Sequence, residues 1–244
     1  MISLNGVSKS YDGKKKAVDD VTLEIKPGEI FGFLGPNGAG KTTAIKLITG
    51  ILPPDEGEIA IGKTDIAQNP IKAKQMIGFV SDDPNVYLRL RGIEYLTFIA
   101  DIYGVQEELR AARIEFLAKA LEMTAALSDK LQSYSHGMRQ KIAIMGALLH
   151  NPPVWILDEP MTGLDPKAAS VLKGMMRTHA KAGKTVFFST HVLEVAEKLC
   201  DRLAIIKRGK IVFCGTLEEL KQQRAAGGSL EDMFLEITSK RSEP

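Results

Sequence analysis

The sequence predicts an α/β fold with a mostly parallel sheet, an N-terminal antiparallel β region and an inserted α-helical subdomain. Three observations carry that reading. Continuous apolar runs, as expected of strands covered on both faces, stand at Ile30–Leu34 and Val154–Leu157. Strand signals alternate with helical ones outside the middle of the chain, as crossover connections of a parallel sheet require. Between Pro84 and His150 the strand signals stop, and apolar residues recur at helical spacing instead.

In chain order, Ile2–Ser8 and Val21–Ile25 alternate apolar and polar residues as half-buried strands do. After the buried run Ile30–Leu34, glycines precede a helical stretch at Thr42–Ile48. The inserted part shows one helical series at Ile114, Leu117, Ala118, Leu121 and Ala125, and another at Ile142, Met145 and Leu149. Pro152-Pro153 introduces the run Val154–Leu157, and Asp158-Glu159-Pro160 closes it. A helix over Pro166–Ala182 has Asp165 as N-cap, Pro166 in its first turn and Gly183 as its stop. Thr185–Ser189 is a third buried strand. Leu203–Ile206 is a fourth, pairing with Lys210–Phe213 across Arg208-Gly209. Leu217–Thr238 is helix-prone with a break at Gly227-Gly228. The expected organisation is a single domain over 1–244: residues 1–83 and 151–215 form the α/β core, 84–150 the helical subdomain and 216–244 a short C-terminal helical tail.

Composition narrows the function classes. The 244 residues are enough for a full core, and 44% apolar with 25% charged residues are ordinary globular values. A net charge of +2 gives no basis for a nucleic-acid partner, and Lys14-Lys15-Lys16 reads as a solvated loop. Cys200 and Cys214 fall in apolar-patterned segments and are expected to be core thiols. With no apolar leader at the N-terminus, they place the chain in a reducing cytoplasm. No stretch reaches the 18 or more apolar residues of a membrane span. Any role at a membrane is therefore expected to be peripheral, through a separate partner.

Gly35-Pro36-Asn37-Gly38-Ala39-Gly40-Lys41-Thr42 fits G-x-x-x-x-G-K-[ST], and Thr43 extends the loop. Glycines let backbone N–H groups wrap phosphates, and a helix N-terminus adds its positive dipole end. Lys41 is expected to reach the β- and γ-phosphates and the Thr42 hydroxyl to ligate Mg²⁺. With a strand before it and a helix after, the motif makes the core a P-loop NTPase (RecA-like) one that binds ATP with Mg²⁺. No G-x-G-x-x-G can be laid over these glycines, which excludes the dinucleotide fingerprint. At the end of Val154–Leu157, Asp158 and Glu159 reach the carboxyl edge of a buried strand, where open parallel sheets hold their ligands. An Asp there can hold Mg²⁺ or its water, and the following Glu can orient or deprotonate an attacking water.

Ser135-His136-Gly137-Met138-Arg139-Gln140 lies between these motifs, and with it the chain resembles an ATP-binding-cassette (ABC) transporter ATPase over nearly its whole length. The family signature is Leu-Ser-Gly-Gly-Gln; here Tyr134 replaces Leu, His136 the first Gly and Met138 the Gln. Ser135 and Gly137 survive, and the resemblance implies that they contact the γ-phosphate across a dimer. It further implies that Tyr11 stacks on adenine, that Thr162–Asp165 is the D-loop, and that His191 is the switch histidine sensing the γ-phosphate. The clearest departure is at the Q-loop. Ile77-Gly78-Phe79-Val80-Ser81 is followed by Asp82 where the family carries Gln, and Asp is shorter and acceptor-only. The resemblance gives Asp82 the metal-contacting role, through water, with Asp83 an alternative claimant.

By resemblance, two such domains sandwich two ATP molecules, in a homodimer or in a heterodimer with a second ABC ATPase, and drive a multi-span membrane permease. The tail Ser229–Glu236 resembles the ending of drug, antibiotic and polysaccharide exporter ATPases. Tyr87, Leu88, Tyr95 and Phe98, within Pro84–Tyr103, lie where the family receives its membrane subunit, although Phe98 and Ile102 also read as helical-subdomain core. The implied function is therefore ATP hydrolysis powering export, from a cytoplasmic position on the inner face of the cell membrane. An importer ATPase and a soluble non-transport ABC ATPase are the alternatives.

Overall fold

The computed structural model describes residues 1–85, 87–222 and 234. Two sheets organise the chain. The first is antiparallel, in the order β2–β1–β4–β5, built from β1 (Ile2–Ser10), β2 (Lys16–Ile25), β4 (Glu56–Ile61) and β5 (Thr64–Asp65). The second runs β10–β9–β3–β8–β7–β6. It contains β3 (Ile30–Leu34), β6 (Ile77–Val80), β7 (Val154–Leu157), β8 (Thr185–Thr190), β9 (Arg202–Lys207) and β10 (Lys210–Gly215). All its pairings are parallel except β9 with β10. The expected α/β architecture, with its N-terminal antiparallel region, is the one observed.

The continuous apolar runs are explained by burial on both faces. Alternate residues of the central strands enter two different cores. Phe31, Phe33, Ile156 and Phe187 pack toward the antiparallel sheet, together with Ile45 and Leu47 of α1 (Lys41–Ile48). Trp155, Leu157, Val186 and Phe188 pack on the other side. Their partners there are α3 (Gly92–Ile102), α4 (Glu107–Ala120), α5 (His136–Leu148) and α6 (Pro166–Lys181). Each fully buried aromatic or aliphatic side chain contributes about 1.5–3 kcal/mol, which makes this two-sided strand pattern hard to place in any other register.

That register also sets the site. Phe33 pairs with Ser189 and Leu34 with Thr190. Leu157 pairs with Phe188 on one side and Val80 on the other. The carboxyl ends of β3, β6, β7 and β8 therefore finish side by side, and the loops beginning at Gly35, Ser81, Asp158 and His191 open at one edge.

Among the described residues the remaining α-helices are α2 (Pro70–Gln75), α7 (Leu193–Leu199) and α8 (Leu217–Gln222). Among the described residues, no helix is long and apolar enough to cross a membrane. The exporter-like tail Ser229–Glu236 lies outside the described residues except for Phe234, which is buried against the cluster of Leu34, Leu203 and Leu220.

Several expectations need correction. Ala125 does not continue the helix of Ile114 and Leu117: α4 stops at Ala120, Glu122 takes a φ of +57°, and Ala125 falls in a 3₁₀ turn. Cys214 is no core thiol, because β10 is an edge strand and the residue faces outward. Cys200 is half-buried against Gly32. Phe98 and Ile102 are also surface residues, 38% and 56% exposed, whereas the same helix buries Tyr95, Leu96 and Ala100. Their core reading fails, and the aromatic buried on this helix is Tyr95.

Candidate active site

The phosphate loop leaves the central strand β3 and enters α1 with Gly40 as N-cap, at a φ of 112°. A side chain there would strike the Ala17 carbonyl, and the left-handed backbone disfavours one in any case. The loop is held by Ala39 N–H donating to the Pro36 carbonyl and by Gly209 N–H donating to Ala39. Lys41 begins α1 and is only 7% exposed; its Nζ donates to the Gly35 carbonyl at 2.8 Å. Backbone and ammonium are thus gathered around one concavity of about 310 Å³. Pro36, Asn37, Gly38, Thr42 and Thr43 line it as well, and Asp82 and Glu159 close its far side.

Asp158 directly follows β7 and is 1% exposed. Burial pushes its carboxyl above the usual range, opposed by hydroxyl donors from Ser189 and Thr42, while the nearby charges of Asp82 and Glu159 add to the rise. The Ser189 hydroxyl donates to Asp158 Oδ1 at 2.5 Å and accepts the Glu159 N–H at 2.9 Å. One buried serine therefore fixes both acidic neighbours. Glu159 takes a φ of +47°, a left-handed conformation uncommon for a non-glycine residue and costly unless its surroundings hold it. That turn aims its carboxylate back over the loop: Oε1 lies 3.5 Å from Lys41 Nζ and Oε2 lies 2.9 Å from His191 Nδ1.

The structure therefore brings Lys41, Thr42, Asp82, Asp158, Glu159 and His191 to one place. Tyr11 stands beside it, 65% exposed, with its hydroxyl 3.3 Å from Thr43 Oγ1. Asp82 Oδ1 accepts from Ser81 Oγ and from Asp83 N–H. Asp83 instead caps Asn85 N–H and does not line the concavity.

Ser135 and Gly137 are not among the residues lining the loop's concavity. Ser135 is exposed and caps α5, accepting from Met138 N–H at 3.2 Å. A Cβ on Gly137 would lie 2.6 Å from the Gly163 carbonyl, and Lys141 Nζ stands 3.6 Å from Asp165. The start of α5 is thereby locked to the Thr162–Asp165 loop.

Sequence reasoning missed the part played by Ser189. The available signal was a hydroxyl at the end of an otherwise apolar strand, where burial demands a partner.

Comparison with known proteins agrees with this architecture. Residues 18–162 match the family described as ABC transporter. The chain is 37% identical over 224 residues to the ABC transporter ATP-binding protein NatA of Bacillus subtilis, covering 90% of this chain and 91% of the relative. It is 33% identical to the ABC-type transporter ATP-binding protein EcsA of the same organism, over 98% and 97% of the two chains. The linearmycin resistance ATP-binding protein LnrL is 36% identical, over 90% of this chain and 70% of its own. Among solved structures, an ATP-binding subunit of an ABC transporter superposes with a TM-score of 0.92 at 32% identity, covering 97% of this chain and 99% of that one. The cassette MJ0796, in a dimeric post-hydrolysis state with ADP and Pi, gives 0.81 at 29% identity, covering 89% and 99%. With the family match spanning more than half of its length and relatives alike from end to end, the chain belongs to the ATP-binding proteins of ABC transporters.

Proposed function

We propose that this chain is the Mg²⁺-dependent ATPase subunit that powers an exporter whose membrane-spanning helices lie on a separate, multi-span partner. The observation that carries the reading is the geometry at Glu159, one oxygen toward Lys41 and the other at His191. Loop N–H groups and Lys41 hold the triphosphate, with Tyr11 against the adenine. Glu159 orients the attacking water and accepts its proton, in the general-base role of phosphoryl-transfer sites. His191 keeps the Glu159 carboxylate turned toward the terminal phosphorus.

The side chains fit Mg²⁺, since Thr42, Asp158 and Asp82 offer only hard oxygen donors and the buried Asp158 carboxylate gains from a cation beside it. Thr42 and Asp158 would hold the ion, with Asp82 acting through water. Bound there, Mg²⁺ offsets the negative charge of the β- and γ-phosphates.

Ser135 and Gly137 serve the nucleotide of a second cassette, so the working unit is a dimer of this chain or a pair with another ABC ATPase. In this reading 1–83 with 151–215 is the ATP-binding core, 84–150 the signature subdomain and 216–244 the tail. The subunit works at the cytoplasmic face of the cell membrane and has no nucleic-acid partner. Likeness to LnrL, named for linearmycin resistance, supports the export direction. ATP supplied to inverted membrane vesicles should then drive substrate into them; ATP-driven release from them contradicts export.

The test of the site is Glu159→Gln. Turnover should fall at least about 100-fold, the scale of a lost general base, while ATP binding and ATP-driven dimerisation persist. Turnover like that of the unaltered protein defeats the assignment.

A further inference from the structure

We infer that the groove between α4 and α6 binds a single-chain amphiphilic carboxylate, with its chain on an apolar floor and its headgroup at Arg113 and Lys184. The groove encloses about 580 Å³, within the span of small-molecule sites, and shares no lining residue with the nucleotide concavity. Leu109 and Phe116 of α4, Leu148 of α5 and Met175 of α6 form its floor. Leu109 and Phe116 are 45% and 69% exposed and lie two turns apart on one helix face, an apolar strip with nothing over it among the described residues.

The polar end selects the ligand's charge. Arg113 Nη1 donates to the Leu149 carbonyl at 2.7 Å and Lys184 Nζ to the Asn151 carbonyl at 3.0 Å, so both cations sit on the same turn. Neither forms an ion pair with a carboxylate among the described residues. Two like charges on one turn, met only by backbone carbonyls and the Asn151 side-chain oxygen and beside an apolar floor, fit a ligand that is anionic at one end only. A guanidinium fork next to an ammonium suits a carboxylate. Because the charge is confined to one end, it matches one headgroup better than the charges spread along a partner helix.

The groove also carries its own reporter. His179 lines the wall, is 9% exposed, and its buried Nε2 has no partner among the described residues. Its ring stands edge-on to Trp155 with centroids 5.5 Å apart, and Trp155 is the only tryptophan of the chain.

The experiment titrates dodecanoate, below its micelle-forming concentration, into the full chain while Trp155 emission and Tm are followed. A saturable emission change and a rise in Tm are expected. Dodecanol should bind at least about tenfold more weakly, the worth of a charge-assisted contact. Arg113→Gln combined with Lys184→Gln should lose a similar factor. Phe116→Asp, at an exposed site that folding tolerates, should weaken binding too. Lys41→Ala should leave the dodecanoate response intact, which separates this proposal from the nucleotide site. Equal binding of dodecanol, or no saturable response, overturns the proposal. So does binding to phosphatidylglycerol vesicles without binding of free dodecanoate. A Phe116→Asp variant that changes self-association or the binding of an acidic amphipathic helix, but not dodecanoate affinity, overturns it as well.

Discussion

Glu159 Oε2 lies 2.9 Å from His191 Nδ1 while Oε1 of the same carboxylate lies 3.5 Å from Lys41 Nζ. One side chain thus joins three elements distant in sequence: the end of β7, the end of β8 and the start of α1. Its left-handed backbone makes this reach possible, and the Ser189 hydroxyl holds that backbone.

Ser189→Ala removes the shared hydroxyl and leaves the Glu159 N–H and one Asp158 oxygen short of a partner. Stability should fall by about 1–3 kcal/mol, the usual cost of unsatisfied buried polar groups. The kcat should fall by up to about 100-fold as Glu159 loses its aim, with KM for ATP little changed. Unchanged kcat in a folded variant would show that Glu159 is positioned some other way.

Asp158→Asn separates stability from function. Burial raises the folded carboxyl above its ordinary value, so in the nucleotide-free protein its ionised form is a cost, present at neutral pH and absent once the group is protonated at low pH. The variant should therefore melt at a higher temperature than the unaltered protein at pH 7, with the difference shrinking on acidification. Its stabilisation by Mg²⁺-ATP should be largely lost. A lower Tm at pH 7 contradicts this reading of the site.

Two histidines act with the opposite sign. Burial lowers His150 and His179 to about 4, with Lys184 adding to both and Arg113 to His150. The His150 ring stacks on Tyr103 and the His179 ring stands edge-on to Trp155, and both stay neutral in the fold. A lowered folded value means stability present above the ordinary pKa of about 6.5 and lost as pH falls from there toward 4. His179→Phe should flatten the acid limb of a Tm-against-pH curve. An unchanged limb contradicts the assignment.

Much of this was legible in the sequence because the chemistry tolerates few alternatives. The loop needs Gly at Gly40, Lys41 must follow it, and an acidic pair must stand at the end of a buried strand. What was not legible depends on register between distant strands. Ser189 gains its role only because β7 and β8 run parallel with Leu157 beside Phe188. Asp82 reaches the concavity only because β6 is paired to β7. Local pattern misled elsewhere. Phe98 and Ile102 share one face of α3, but nothing in their spacing tells which face turns inward. Cys214 follows strand periodicity, yet β10 lies at the edge of its sheet and leaves it outside.

Equilibrium binding of Mg²⁺-ATP to the purified chain and to its Lys41→Ala variant is the most direct test of whether this loop holds the triphosphate. Affinity should drop by more than about tenfold in the variant, the scale of lost charge-assisted contacts. Equal affinity in the two proteins would contradict the account.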